Sequence, residues 1–285
     1  MLRIVFLCVF LRCKKIKSTY ICSDFTNDKI HFINMTIIKK EDFFNSQNTL
    51  LSASAADYER AQFYIETAES FANTTYKPFF ILDYYKKNFL YVANNPLFLC
   101  GYSREEVKGM GFDFFLQCTP KEEHNMLHEI NEVAFEMFFK MGDDEARTCV
   151  VSYDYHLVHG SRRVLVSQQM TPLAFNQSGQ LWLGLCVISL SHNKEPGNLV
   201  LKSDRRAIIY DFDRHIWNLL APVQLGADEK SVIQLAAKGY TIEQIAEKMC
   251  KAVDTVKQCR RRLFAKLGVD NIAEAVVFAI NNKLL

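Results

Sequence analysis

No CxxC pair occurs among the nine cysteines of this 285-residue sequence. Cys8, Cys13, Cys22, Cys100, Cys118, Cys149, Cys186, Cys250 and Cys259 are scattered and odd in number, which excludes a disulfide scaffold or a zinc ribbon and implies reduced thiols in the cytoplasm. Long apolar runs are missing as well. The single candidate span, Ile4 to Leu11, has eight residues, whereas a membrane helix needs about 20. A secretory leader could use so short a run but is not expected, because Arg12-Cys13-Lys14-Lys15 follows it directly, with no small-residue cleavage site. No membrane partner is expected. Charge of one sign is scarce too: the net charge is +2, too little to coat nucleic acid through bulk charge, although a local patch is not excluded.

Catalytic constellations are equally absent. No Ser-His-Asp, Cys-His or paired-carboxylate arrangement stands out, and there is no kinase or receiver pattern, so no catalytic residue is assigned and an enzyme is not expected. Gly109-Met-Gly111 is too short to cradle a phosphate. His124 and His128 stand four apart with Cys118 nearby, but a third ligand at helical spacing is missing, so no metal is expected. Phe79, Phe80, Phe112, Phe114 and Phe115 are read as core rather than as the lining of a cofactor pocket, and no cofactor is assigned.

What is present is a core-forming composition, 49% hydrophobic and 13% aromatic, at a length that suggests two domains. Charge is unevenly distributed. Residues 1–34 carry +4, residues 35–224 carry −5 and residues 225–285 carry +3. Residues 1–34 are read either as an extension ahead of a true start at Met35 or as an ordinary N-terminal segment, with 35–56 a polar lead-in.

From Asp57 the pattern becomes regular. Tyr58, Ala61, Ile65, Ala68 and Ala72 mark an amphipathic helix, and Phe79–Leu82 with Phe89–Val92 read as a hairpin. Ser103-Arg-Glu-Glu106 is a capping box. Thr119-Pro120-Lys121-Glu122 predicts an N-cap Thr followed by Pro at the first helical position. The helix behind it buries Leu127, Ile130, Ala134, Met137 and Met141 and stops near Gly142. Residues 149–157, 163–175 and 181–190 are β-rich and separated by turn residues, so three antiparallel strands follow. This order implies an α+β domain, with helices covering one face of a five-stranded antiparallel sheet. Residues 191–224 contain the linker signal Glu195-Pro-Gly-Asn198 but are too apolar for a free tether, and are read as a connecting element with a strand or short hairpin.

The last 60 residues read as four short helices: Gly239 closes the first, Thr241-Ile-Glu-Gln244 opens the second as a capping box, Gly268 ends the third and Asn271 opens the fourth. The tight connection Met249–Ala252 makes the middle pair a helix-turn-helix. Winding the third helix at about 100° per residue places Val256, Leu263 and Leu267 on one side with Cys259 and Phe264 beside them. Gln258, Arg261 and Ala265 lie opposite, flanked by Lys257 and Arg262. Arg and Gln bond purine edges bidentately, and Lys and Arg also hold phosphates.

Two family resemblances complete the reading. Pro78 to Asp83 with Tyr91-Val-Ala-Asn94, Gly101-Tyr-Ser-Arg-Glu-Glu106 followed by Gly109, and the closing strand Gly179 to Leu190 are similar to the PAS fold, which implies a sensor or dimerisation domain at 57–190. Phe115-Leu-Gln-Cys118 is similar to the flavin-binding branch of that family, but that branch's cysteine precedes the Phe-Leu-Gln and its Asn-Cys-Arg is lacking, so flavin is not expected.

Residues 225–285 closely resemble the LuxR/GerE-type DNA-binding domain at Ala237-Lys-Gly239, Thr241-Ile-Glu-Gln-Ile-Ala246, Thr255-Val-Lys257, Lys266-Leu-Gly-Val269 and Ala273-Glu-Ala-Val276. The resemblance implies base contacts from Lys257, Gln258 and Arg261 and backbone contacts from Thr255 and Lys266, with Arg262 on the same face. Lys251-Ala252 replaces the family's Ile-Ser and removes a Ser N-cap. Cys259 replaces a frequent His, and Asp228-Glu229 stands where the family has Arg-Glu.

The whole then implies a cytoplasmic bacterial transcription regulator that works as a homodimer on double-stranded promoter half-sites, with an unidentified small molecule or RNA polymerase as a further partner. The alternatives are a sensor or adaptor whose C-terminal helices bind a protein, and a sigma-factor-like subunit, against which the strand-rich middle argues.

Overall fold

The computed structural model describes residues 14–16, 19–21, 38–43 and 52–285. The proposed start at Met35 lies outside them, as does residues 1–34 apart from two short antiparallel strands, β1 (Lys14–Ile16) and β2 (Thr19–Ile21). Among the described residues no helix is long and apolar enough to cross a membrane.

Helix α1 (Ala55–Thr74) begins at a reciprocal cap: the Ser54 hydroxyl accepts from the Asp57 N–H at 3.1 Å while the Asp57 carboxylate accepts from the Ser54 N–H at 2.9 Å. The hairpin β3 (Phe79–Asp83) and β4 (Asn88–Val92) follows, then α2 (Pro96–Leu99), α3 (Arg104–Met110) and α4 (Asp113–Cys118). The Ser103–Glu106 capping box opens α3. After α5 (His124–Phe139) and α6 (Asp143–Thr148) come the long strands β5 (Val150–His159), β6 (Arg162–Phe175) and β7 (Leu181–Leu190).

The sheet does not stop at five strands. β8 (Gly197–Lys202), β9 (Ala207–Asp211) and β10 (Ile216–Leu219) continue it to eight antiparallel strands in the order β10-β9-β8-β5-β6-β7-β3-β4. The residues read as a connecting element thus supply three strands. The cause is period-two burial: Leu199, Leu201, Ile208 and Tyr210 turn inward and join the main core.

A second correction concerns the layers. Helices cover both faces of the sheet. Phe80 and Leu82 point to the core shared with α2–α5, whereas Phe79 and Ile81 point to a separate cluster with Ala61 and Ala68 of α1 and with Trp182. β3 is therefore buried along its whole length. Thr119 is not an N-cap either: its hydroxyl donates to the Phe115 carbonyl at 2.6 Å, and a 3-10 turn at Lys121–Glu123 precedes α5.

Gly101, in the Gly-Tyr stretch, adopts φ +84° directly after Cys100 at +49°. A Cβ there would sit 2.3 Å from His159 Nε2. Gly101→Ala is expected to cost about 2 kcal/mol, from left-handed strain plus displacement of the imidazole, read as a lower urea midpoint with an unchanged m-value.

Four helices close the chain: α7 (Ala227–Ala237), α8 (Ile242–Lys248), α9 (Val253–Leu267) and α10 (Ile272–Asn281). Val232, Ile233, Ile245, Val256, Leu263 and Ala275 form their common core.

Candidate nucleic-acid interface

The two middle helices are joined by Met249–Ala252, where Cys250 takes φ +51° to turn the chain. Thr241 caps α8 through the Gln244 N–H at 3.4 Å, and the Gln244 side chain returns a bond to the Thr241 N–H at 2.9 Å. Ala252 offers α9 no side-chain cap, in keeping with the lost Ser, while Gly268 at φ +67° ends the helix by donating its N–H to the Phe264 carbonyl.

Burial fixes the rotation of α9. Val256, Cys259, Leu263 and Leu267 are buried, so the residues between them face outward. Thr255, Lys257, Gln258, Arg261 and Arg262 are all exposed. Lys257 Nζ lies 3.3 Å from Asp254 Oδ1, one turn earlier. Among the described residues, no ion pair or side-chain hydrogen bond holds Gln258, Arg261 or Arg262. This leaves a face with two guanidinium groups and an amide outside any ion pair or side-chain hydrogen bond, although the Arg262 charge also helps to lower the Glu229 carboxyl. Arg260 lies off this face, its guanidinium 5.5 Å from the Phe264 ring.

Lys266 is placed differently. Its Nζ lies 2.6 Å from Glu229 Oε2 and 3.3 Å from the Gln224 carbonyl, so it ties α9 to α7. Glu229 also accepts from the Gly226 N–H at 2.8 Å. Burial opposes its ionisation, but the Lys266 ammonium and that N–H together hold its carboxyl below the usual carboxylate range. Lys251 pairs with Asp228 in the same way, joining the turn to α7. Both tethers use the acidic pair in the first turn of α7 and link residues far apart in sequence, which helical spacing does not reveal. Lys266→Met is expected to cost about 1 kcal/mol or less of stability, whereas Lys257→Met, which breaks only an exposed pair within one helical turn, should leave stability unchanged; chemical unfolding distinguishes them.

A cavity of about 60 Å³ lies between α5 and the larger sheet, lined by Phe112, Phe115, Tyr153, Tyr155 and Gln168 among others. Tyr155 Oη donates to Gln168 Oε1 at 2.9 Å, and Gln168 Nε2 donates to Tyr153 Oη at 2.7 Å. Burial raises both phenols above their ordinary range. Phe112 and Phe115 thus border open space, while Phe80 and Phe114 are fully buried. His124 and His128 do not converge: their Nε2 atoms lie 3.3 Å from the Thr119 carbonyl and 3.0 Å from the Asp42 carbonyl.

Residues 223–279 match the family model described as bacterial regulatory proteins, luxR family. This segment is a luxR-family helix-turn-helix domain. The chain is also similar to the oxygen regulatory protein NreC of Staphylococcus aureus strain JH9, 38% identical over 61 residues, which are 21% of this chain and 28% of that protein. The chain therefore spans under a third of the length of the curated relatives it matches. Among solved structures, a phage VqmA–DPO complex is 17% identical, covering 80% of this chain and 91% of that one with a TM-score of 0.28. A Vibrio cholerae VqmA dimer without target DNA is 16% identical, covering 77% and 88% with a TM-score of 0.30.

Proposed function

We propose that the chain is a sequence-specific transcription regulator acting in the cytoplasm as a dimer, with α9 of each copy in the major groove of one promoter half-site. The observation that carries this reading is the outward face of α9, where Gln258, Arg261 and Arg262 stand exposed beside Lys257 in a luxR-family domain. Lys257, Gln258 and Arg261 take the base contacts, and Arg262 and Thr255 approach phosphates. Lys266 approaches the backbone as well, and its pair with Glu229 also braces the reading helix against α7.

The α+β domain is the input. Its β3–β4 hairpin, intervening helices and return through β5, β6 and β7 support a PAS-like fold, extended by β8–β10. The cavity under α5 accepts a small, largely apolar ligand with a hydrogen-bonding group that meets the Tyr153–Gln168–Tyr155 trio. Binding there changes the pairing of two copies and so the occupancy of half-sites.

The test is to incubate the purified chain with sheared genomic DNA and sequence what it retains. The expected result is enrichment of paired half-sites centred about 34 Å apart, or a multiple of that. Recovered sequences that match the input would contradict the proposal.

A further inference from the structure

Strand β10 is the last of the eight, and its outer edge has no partner among the described residues. Its register with β9 pairs Trp217 with Tyr210 and Asn218 with Ile209, and the Leu220 N–H donates to the Ala207 carbonyl at 2.8 Å. Backbone groups alternate sides along an antiparallel strand. Residues 216, 218 and 220 therefore bond inward to β9, and the N–H and C=O groups of Trp217 and Leu219 point outward.

Sheet edges are ordinarily guarded by lysine, proline, a bulge or a covering element. Ile216 to Leu220 contains no charge and no proline, and the side chains are unusually open: Leu219 is 80% exposed, Ile216 45% and Leu220 38%. The order Ile-Trp-Asn-Leu-Leu is also a palindrome in polarity, with one amide between two apolar pairs.

We infer that the β10 edge is the docking site for β10 of a second copy of this chain, the two strands running antiparallel about a twofold axis at Asn218. That axis sets Trp217 opposite Leu219 of the second copy, and Leu219 opposite its Trp217, and the four outward backbone groups on each strand close four inter-chain hydrogen bonds. Ile216 then meets Leu220 of the second copy on the other face, apolar against apolar, and the two Asn218 amides face each other. A one-residue shift would put outward-facing groups against inward-facing ones, and a two-residue shift would pair only one of Trp217 and Leu219 within the strands, so this centre closes the most bonds. An isologous contact of this kind is closed, and the two sheets become one of sixteen strands. Only residues 220–226 separate β10 from α7, so the pairing also sets where the two reading domains emerge.

A β10-paired dimer is one form of the two-copy arrangement proposed above, and testing it without DNA separates its failure from a failure of DNA recognition. Facing residues in a non-bonded antiparallel pair have Cα atoms about 4.5 Å apart, within disulfide reach. In a Cys250→Ser background, which removes the one exposed thiol among the described residues, Asn218→Cys is oxidised with diamide and run on a non-reducing gel. Ser178→Cys, at the exposed β6–β7 turn, serves as the collisional control.

The expected result is covalent dimer at least about tenfold above that control. Adding Leu219→Pro removes an outward N–H without touching the bonds to β9, and adding Leu219→Lys guards the edge with charge; each is expected to return the yield to the control level. An Asn218→Cys yield no higher than the control, as when a different protein's strand is the natural occupant, would overturn the inference. So would a yield that both Leu219 changes leave intact.

Discussion

Replacing Lys257 and Arg261 together with alanine is expected to abolish specific DNA binding while far-UV circular dichroism remains that of the wild type. Both side chains are exposed, and α9 is held in place by Val256, Cys259, Leu263 and Leu267 on its opposite side, so truncation removes contacts without opening the core. A bidentate arginine–guanine pair is worth about 1–3 kcal/mol of discrimination, and a phosphate-contacting lysine adds affinity that is independent of sequence. Together they place the loss at roughly a hundredfold in Kd per half-site, and so about ten-thousandfold for two copies on two half-sites, measured by fluorescence anisotropy on a retained fragment. Unchanged affinity would assign the reading role to other residues.

Leu263→Ala is expected to have the largest effect on stability. Leu263 is fully buried at the centre of the α7–α10 core. A leucine truncation of this kind costs about 3 kcal/mol, while a domain of some 60 residues has only about 3–9 kcal/mol to lose. The variant should show an early loss of helicity on heating or in urea, and DNA binding should disappear with it. Leu263→Met roughly conserves volume and is expected to cost under about 1.5 kcal/mol. The two changes separate a folding defect from a recognition defect: Lys257→Ala with Arg261→Ala loses binding with helicity intact, and Leu263→Ala loses both.

Local signals were the most legible part of this chain. Ser103 with Glu106 and Thr241 with Gln244 form capping boxes because the reciprocal bonds involve residues three apart. The buried side of α9 follows from helical period alone. The hairpin β3–β4 and the strands β5–β7 follow from alternation and turn residues.

What escaped the sequence depends on partners distant along the chain. β8–β10 are short and interrupted by Ser203–Arg206 and Phe212–His215, so each is too brief for a clear period until β5 supplies the neighbouring edge. Thr119 resembles a cap, but the Phe115 carbonyl takes its hydroxyl. α1 covers the second face of the sheet because Ala61 and Ala68 allow close approach to Phe79 and Trp182, a fit between surfaces that periodicity does not encode. At the interface itself, the family resemblance implies a backbone contact from Lys266, while its pairing with Glu229 in the acidic first turn of α7 depends on a residue 37 positions away and is not encoded in helical spacing.

The central claim is that α9 reads base sequence, and the most direct test is the affinity ratio between a retained fragment and a scrambled duplex of equal length, titrated across a salt series. For the wild type, affinity for both duplexes should fall steeply with salt as counterions are released, and the retained fragment should bind about a thousandfold tighter or more at physiological salt. For Lys257→Ala with Arg261→Ala, the ratio should collapse toward one and the salt slope should become shallower. Equal affinity of the wild type for the two duplexes, or a ratio that the double change leaves intact, would contradict the account.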